Sequence, residues 1–161
     1  MRNIIHYPDK RLTAPCETID RFDNELKELS EELTYLMYKT EGVGFAASQI
    51  GVNKKVCICE FGGKFPHTLI NPVLTLSGER ITSIEGCLSL PGIEAKLKCR
   101  YNDLIVDYHD LEGHLRTMRL VVRDAIICQH ETDHTNSITL FERMDPTQRR
   151  MKLKKYMKSR K

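Results

Sequence analysis

The chain has 161 residues and a mass of 18.6 kDa, the size of one domain with its own core. Its 40% hydrophobic and 29% charged residues exclude a disordered chain, and no apolar run approaches the ~20 residues of a membrane-spanning helix. The net charge of +3 hides an asymmetry: residues 148–161 (QRRMKLKKYMKSRK) hold eight Lys/Arg and no acid, leaving 17 cations against 22 acids elsewhere.

The start, MRNIIHYPDKRL, meets charge and proline within its first residues and does not read as a signal peptide. Cysteines at 16, 57, 59, 87, 99 and 128, without a secretion signal, are expected to be free thiols in a reducing compartment. Residues 23–40 place Leu26, Leu29, Leu33 and Leu36 at three- and four-residue steps behind Asp23 as a cap, which predicts an amphipathic helix stopped by Gly42 and Gly44.

From about Val56 to Leu120 the pattern turns to short β-type runs: KVCICEF, HTLINPVLTLSGE, ERITSIEGCLSL, EAKLKCR, NDLIVDYHD and HLRTMRLVV, with Gly, Pro and Asn/Asp between them. Cys57 and Cys59 share one face of the first run; they are expected in the core, although a CxC metal clip has the same spacing. Asp110–Gly113 reads as a hairpin turn. VVRDAIICQHETDH then returns to helical spacing, and Pro146 separates it from the basic segment. The expected fold is α+β: short antiparallel strands around a helix carrying HExxH, with an N-terminal helix and a basic C-terminal helix or tail. The expected organisation is a catalytic domain at 1–147 and a basic tail at 148–161.

The run CQHETDH (128–134) carries the first chemistry. On a helix, His130 and His134 lie one turn apart on one face and can grip one metal ion, while Glu131 sits beside them, where a general base belongs. Two histidines do not complete a site. Thermolysin-like proteases take a later glutamate as third ligand, but the lysine-rich tail supplies none; metzincins need HExxHxxGxxH, and Ser137 and Leu140 stand at those positions. The best candidate lies upstream at Cys87 in EGCLS (85–89), giving a Cys–His–His set with an open position for water. In a third stretch, GVGFAASQ (42–49), Gly44 can let backbone approach a substrate and the Gln49 amide can donate to an oxyanion, although a helix C-cap followed by a packed strand explains the same residues equally well.

These three stretches, in this order, resemble the motifs GxGxAAxQ, EGCLS and HExDH of the peptide deformylase family. The likeness runs from YPDKRL to Phe141. The resemblance implies hydrolytic removal of the N-formyl group from the initiator methionine of newly made polypeptides. It implies one divalent metal ion on Cys87, His130 and His134, natively Fe²⁺, with Ni²⁺, Co²⁺ or Zn²⁺ able to replace it. The ion would acidify water toward a pKa of ~7. Glu131 would act as general base and then acid, and the Gln49 side chain with the Leu88 backbone N–H would meet the oxyanion. Asp133 would stand behind the ligands and orient a neighbouring group. Val43, Gly44, Ile126 and Ile127, with Leu88, would line the methionine slot.

The implied partners are N-formylmethionyl peptides and nascent chains, with a ribosome contact through the basic tail, no membrane and no specific DNA. The implied location is the cytoplasm of a bacterium, or of a bacterial host if a phage encodes the protein. The chain departs from the family pattern at Thr132, at Thr135–Thr139, and at VVRD, where Arg123 stands by the outer wall of the pocket. A metallopeptidase lacks its ligand, and a binding module without activity is disfavoured because Gln49, Cys87, His130, Glu131 and His134 are all present.

Overall fold

The strand Val56–Glu60 (β2) shows how the fold is layered in a computed structural model that describes residues 1–160. Strand side chains alternate between faces. Val56 and Ile58 pack with Leu26, Leu29, Leu33, Leu36 and Met37 of the helix Asn24–Lys39 (α1). Cys57 and Cys59 face the other way, against Ala125, Ile127 and Cys128 of the helix Val122–Thr135 (α2). A strand buried on both faces needs a continuous apolar run, and VCIC is one. The thiols are thus core residues, and all six cysteines are free.

The α1 leucines are all buried, each worth roughly 1.5–3 kcal/mol, and the Asp23 carboxylate accepts the Leu26 N–H at 3.2 Å. The helix stops one residue earlier than its glycines suggest. Glu41 takes a left-handed φ of 54°, Gly42 N–H donates to Met37 O (2.9 Å) and Glu41 N–H to Tyr38 O (3.1 Å), a Schellman closure. Gly44 does not stop the helix; it opens the short strand Gly44–Ala46 (β1).

The sheet is antiparallel with strand order β1-β2-β3-β4-β5, completed by Pro66–Gly86 (β3), Glu94–His109 (β4) and Leu115–Val121 (β5). Here the structure differs from six short runs. The middle four fuse into two long strands, and the punctuating residues mark shifts of register between Ile70 and Val73 and between Ser77 and Arg80. Asn71 (φ 52°) and Gly78 (φ 69°) supply the left-handed backbone for these bulges, which bend a strand without ending it. The turn at Asp110–Gly113 forms as expected, with Gly113 at φ 83° and Asp110 N–H donating to His114 O.

A third cluster joins Leu90, Ile93, Ala95 and Leu97 to Leu140 and Phe141 of the helical turn Leu140–Arg143 (α3) and to Tyr156 of the helix Pro146–Ser159 (α4). Asp145 caps α4 and Pro146 occupies its first turn. Tyr156 is fully buried and donates to Tyr7 O at 3.0 Å, so the basic segment packs on the body through this side chain. No helix among the described residues is long and apolar enough to cross a membrane.

Candidate active site

Helix α2 is fixed at both ends and along its length. At its start Val122 adopts φ 49°, which turns the chain sharply out of β5. At its end Ile138 N–H donates to Asp133 O (2.9 Å) and Ser137 N–H to His134 O (3.2 Å), a second Schellman closure. Ser137 takes the left-handed position (φ 64°), and its hydroxyl donates to Ala14 O at 2.7 Å. This is how the polar run Thr135–Thr139 ends the helix without glycine. In between, the Gln129 amide pairs with both the N–H (3.0 Å) and the C=O (2.8 Å) of Tyr101, pinning α2 to β4.

So held, α2 presents His130 and His134 with ring centroids 5.2 Å apart. Cys87 follows directly after β3, and its sulfur lies 3.2 Å from His134 Nε2. One ligand atom from each of Cys87, His130 and His134 lies within 4.8 Å of the others. This sulfur–nitrogen–nitrogen set fits a divalent ion. His134 is buried, while Cys87 and His130 keep some exposure.

Burial opposes ionisation of the Cys87 thiol, but the His134 and His130 imidazoles outweigh it and bring its pKa down to about 5. A thiolate is the form that binds metal. For His130, burial works against the charged ring, and hydrogen bonds to Cys87 and Glu85 overcome it, raising its pKa. Glu131 is moved up chiefly by burial, and its Oε2 has no hydrogen-bond partner within the described residues. An unpartnered carboxylate oxygen beside the ligand set is poised for a proton on water or substrate.

Behind His130 runs a chain of charges. Glu85 Oε2 accepts from His130 Nδ1 at 2.9 Å, which leaves the Nε2 lone pair for a metal ion. Arg100 grips both Glu85 oxygens (2.8 and 2.9 Å) and reaches Asp133 Oδ2 at 2.6 Å, and Asp133 also holds Arg143. Burial would raise the Glu85 pKa, but His130 and Arg100 hold the carboxyl well below its usual range. Asp133 therefore stands behind the ring through Arg100 and Glu85, two ion pairs and one hydrogen bond away. Glu85 and Arg100 were not assigned from sequence. The available signal was an acid at the buried parity of a strand, with Ser83 and Glu85 both inward.

The GVGFAASQ stretch arrives through β1. Gly44 lies against Glu131, whose Cγ and Cδ would stand 2.6 and 2.7 Å from an added Cβ. Gln49 is buried, its Oε1 accepting the Ala46 N–H (2.9 Å), so that Nε2 points to Ser89 Oγ (3.3 Å) and Cys87 Sγ (3.7 Å). The Leu88 N–H has no backbone acceptor among the described residues. A cleft of about 840 Å³ opens over this site, lined among others by Val43, Gly44, Gln49, Leu88, Ile126 and Ile127. His130, Glu131 and Cys87 also line it, with Arg123 farther along the wall. Asp133 and His134 are not among its lining residues.

The family model described as polypeptide deformylase matches residues 1–150. A peptide deformylase of Aquifex aeolicus is 37% identical over 163 residues, covering 98% of this chain and 96% of that protein. The crystal structure of a peptide deformylase from Legionella pneumophila superposes with a TM-score of 0.91 at 30% identity, covering 99% of this chain and 95% of the other. A peptide deformylase from Synechococcus elongatus in complex with actinonin gives 0.89 at 28% identity, over 96% and 86% of the two chains. The order of the three motifs, their meeting in one cleft and these likenesses agree: the chain belongs to the polypeptide deformylase family.

Proposed function

We propose that this cleft is where the protein, as a deformylase, removes the N-formyl group from the initiator methionine of new polypeptides and releases formate. Cys87, His130 and His134 would hold the divalent ion, through a thiolate and two neutral imidazoles. The ion, when bound, supplies Lewis acidity that acidifies water and polarises the carbonyl to be attacked. Fe²⁺ is proposed as the native ion on the family resemblance, since this donor set suits Ni²⁺, Co²⁺ and Zn²⁺ as well.

Glu131 takes the proton of the attacking water at its unpartnered oxygen and hands a proton to the departing amine. The observation that carries this reading is that orphaned, buried oxygen beside the ligand set. Gln49 Nε2 and the Leu88 N–H donate to the oxygen that gains negative charge, each worth about 3–4 kcal/mol in the transition state. Glu85 holds the His130 ring in one tautomer, with Arg100 and Asp133 behind it. Ile126, Ile127, Val43 and Leu88 receive the methionine side chain while Gly44 lets substrate backbone approach. We also propose that the exposed cations of residues 148–160 contact the ribosome and that the protein works in a bacterial or bacterial-host cytoplasm. Its six free cysteines support the latter.

The test is formate release from a formyl-Met-Ala-Ser peptide by protein purified without oxygen, with metal quantified on the same sample. Glu131→Ala should lower release by about 10²–10⁴-fold while metal stays bound. Full metal content without turnover in the parent protein would overturn the reading.

A further inference from the structure

We propose that Arg123 makes this cleft select its substrates by charge, favouring an acidic side chain on the second residue after formyl-methionine; this rests on the function proposed above. Arg123, Ile126, Ile127 and His130 stand at i, i+3, i+4 and i+7 of α2 and share one face. The helix rises about 1.5 Å per residue, so Arg123 lies ~10 Å along the axis from His130, beyond the two isoleucines. The methionine side chain belongs against those isoleucines. The next side chain of an extended peptide points to the opposite face, and the one after it, ~6.6 Å further on, returns to this wall, toward Arg123.

The Arg123 side chain is 56% exposed and has no hydrogen bond among the described residues; its nearest acid is Asp124, with Oδ1 at 3.6 Å. Asp124 is engaged elsewhere, its Oδ2 accepting the Gly62 N–H at 3.0 Å. The guanidinium therefore keeps a planar fork of donors free for a carboxylate. It is also the one Lys or Arg among the described residues that line the cleft. The acids of the lining do not neutralise it. Glu85 is spent on Arg100 and His130, Glu131 lies buried beside the ligand set, and Glu41 at the lip is not within ion-pair distance of it. The lining also holds uncharged Val122, Ile84, Val43 and Pro91. A cation whose one ion pair among the described residues is an exposed 3.6 Å contact with Asp124 still attracts an anion and repels a cation.

The experiment uses the full, metal-loaded protein and three peptides, formyl-Met-Ser-Glu-Ser, formyl-Met-Ser-Gln-Ser and formyl-Met-Ser-Lys-Ser, with formate release as the readout. The expected order of kcat/KM is Glu over Gln over Lys, with a Glu-to-Lys ratio of about threefold to tenfold at low salt. The ratio should lie mainly in KM and shrink at about 0.5 M salt, because an exposed pair is screened. Arg123→Gln should collapse the ratio toward one, and Arg123→Lys should preserve its order. An unchanged ratio in Arg123→Gln, or no ratio in the parent protein despite turnover, overturns the assignment to Arg123. No turnover of any of the three peptides by the metal-loaded parent overturns the function on which it rests.

Discussion

Glu85 Oε2 lies 2.9 Å from His130 Nδ1, while Arg100 holds both oxygens of the same carboxylate from behind. The ring of one metal-ligand candidate is thus oriented by a residue only two positions from another, Cys87. One bend at the end of β3 sets both.

Glu85→Gln keeps the shape of that contact but removes the charge that fixes the His130 tautomer. Metal affinity should fall by about 10–100-fold, as for other groups that hold a ligating histidine. Chelator competition on the folded variant, with circular dichroism to confirm the fold, checks this. Affinity equal to the parent's would show that Arg100 and packing alone set the ring.

Gly44→Ala should damage chemistry more than structure. An added Cβ would stand 2.6 Å from Glu131 Cγ and 2.7 Å from Cδ, closer than real contacts allow, so the carboxylate must move. With the proton carrier displaced, formate release should fall by about 10²-fold while metal content stays near one per chain. Near-normal release would mean that Glu131 can act from a second position.

Val122→Gly should stabilise the protein. A β-branched residue at φ 49° is strained, and its side chain, 60% exposed, contributes little burial to offset that. Relief is worth about 1 kcal/mol, or a rise in Tm of roughly 2–4 °C for a chain of this length. Thermal unfolding of the metal-free protein reads it directly; a fall in Tm would show that the αL turn is held by more than the backbone of residue 122.

Much of this was legible in the sequence because it is periodic or local. The α1 leucines, the double-sided burial of VCIC and the one-turn spacing of His130 and His134 all follow from counting residues. The fusion of strands was not legible, since Asn71 and Gly78 carry the same residue types whether a strand ends or bulges. Which residue closes a helix was also hidden: Glu41 and Ser137 take left-handed positions where glycine is the default, Glu41 through bonds within its own turn and Ser137 with a further bond to the distant Ala14 carbonyl. Nothing local distinguishes Arg100 from the two lysines of EAKLKCR. Its two acidic partners lie 15 and 33 residues away, and only folding brings them together.

The latch of Tyr156 onto Tyr7 sets an order of events during synthesis. Cys87 and Tyr7 pack against the cluster that Leu140, Phe141 and Tyr156 complete, so a chain still growing holds the middle of its site without the wall behind it. Before residue 156 emerges, the first residues have the backbone bonds of Ile5 to Gln49 and of Tyr7 to Ser89 but not this one. A protein whose work begins at the N-terminus of other unfinished chains thus anchors its own early residues with a side chain made 149 residues later.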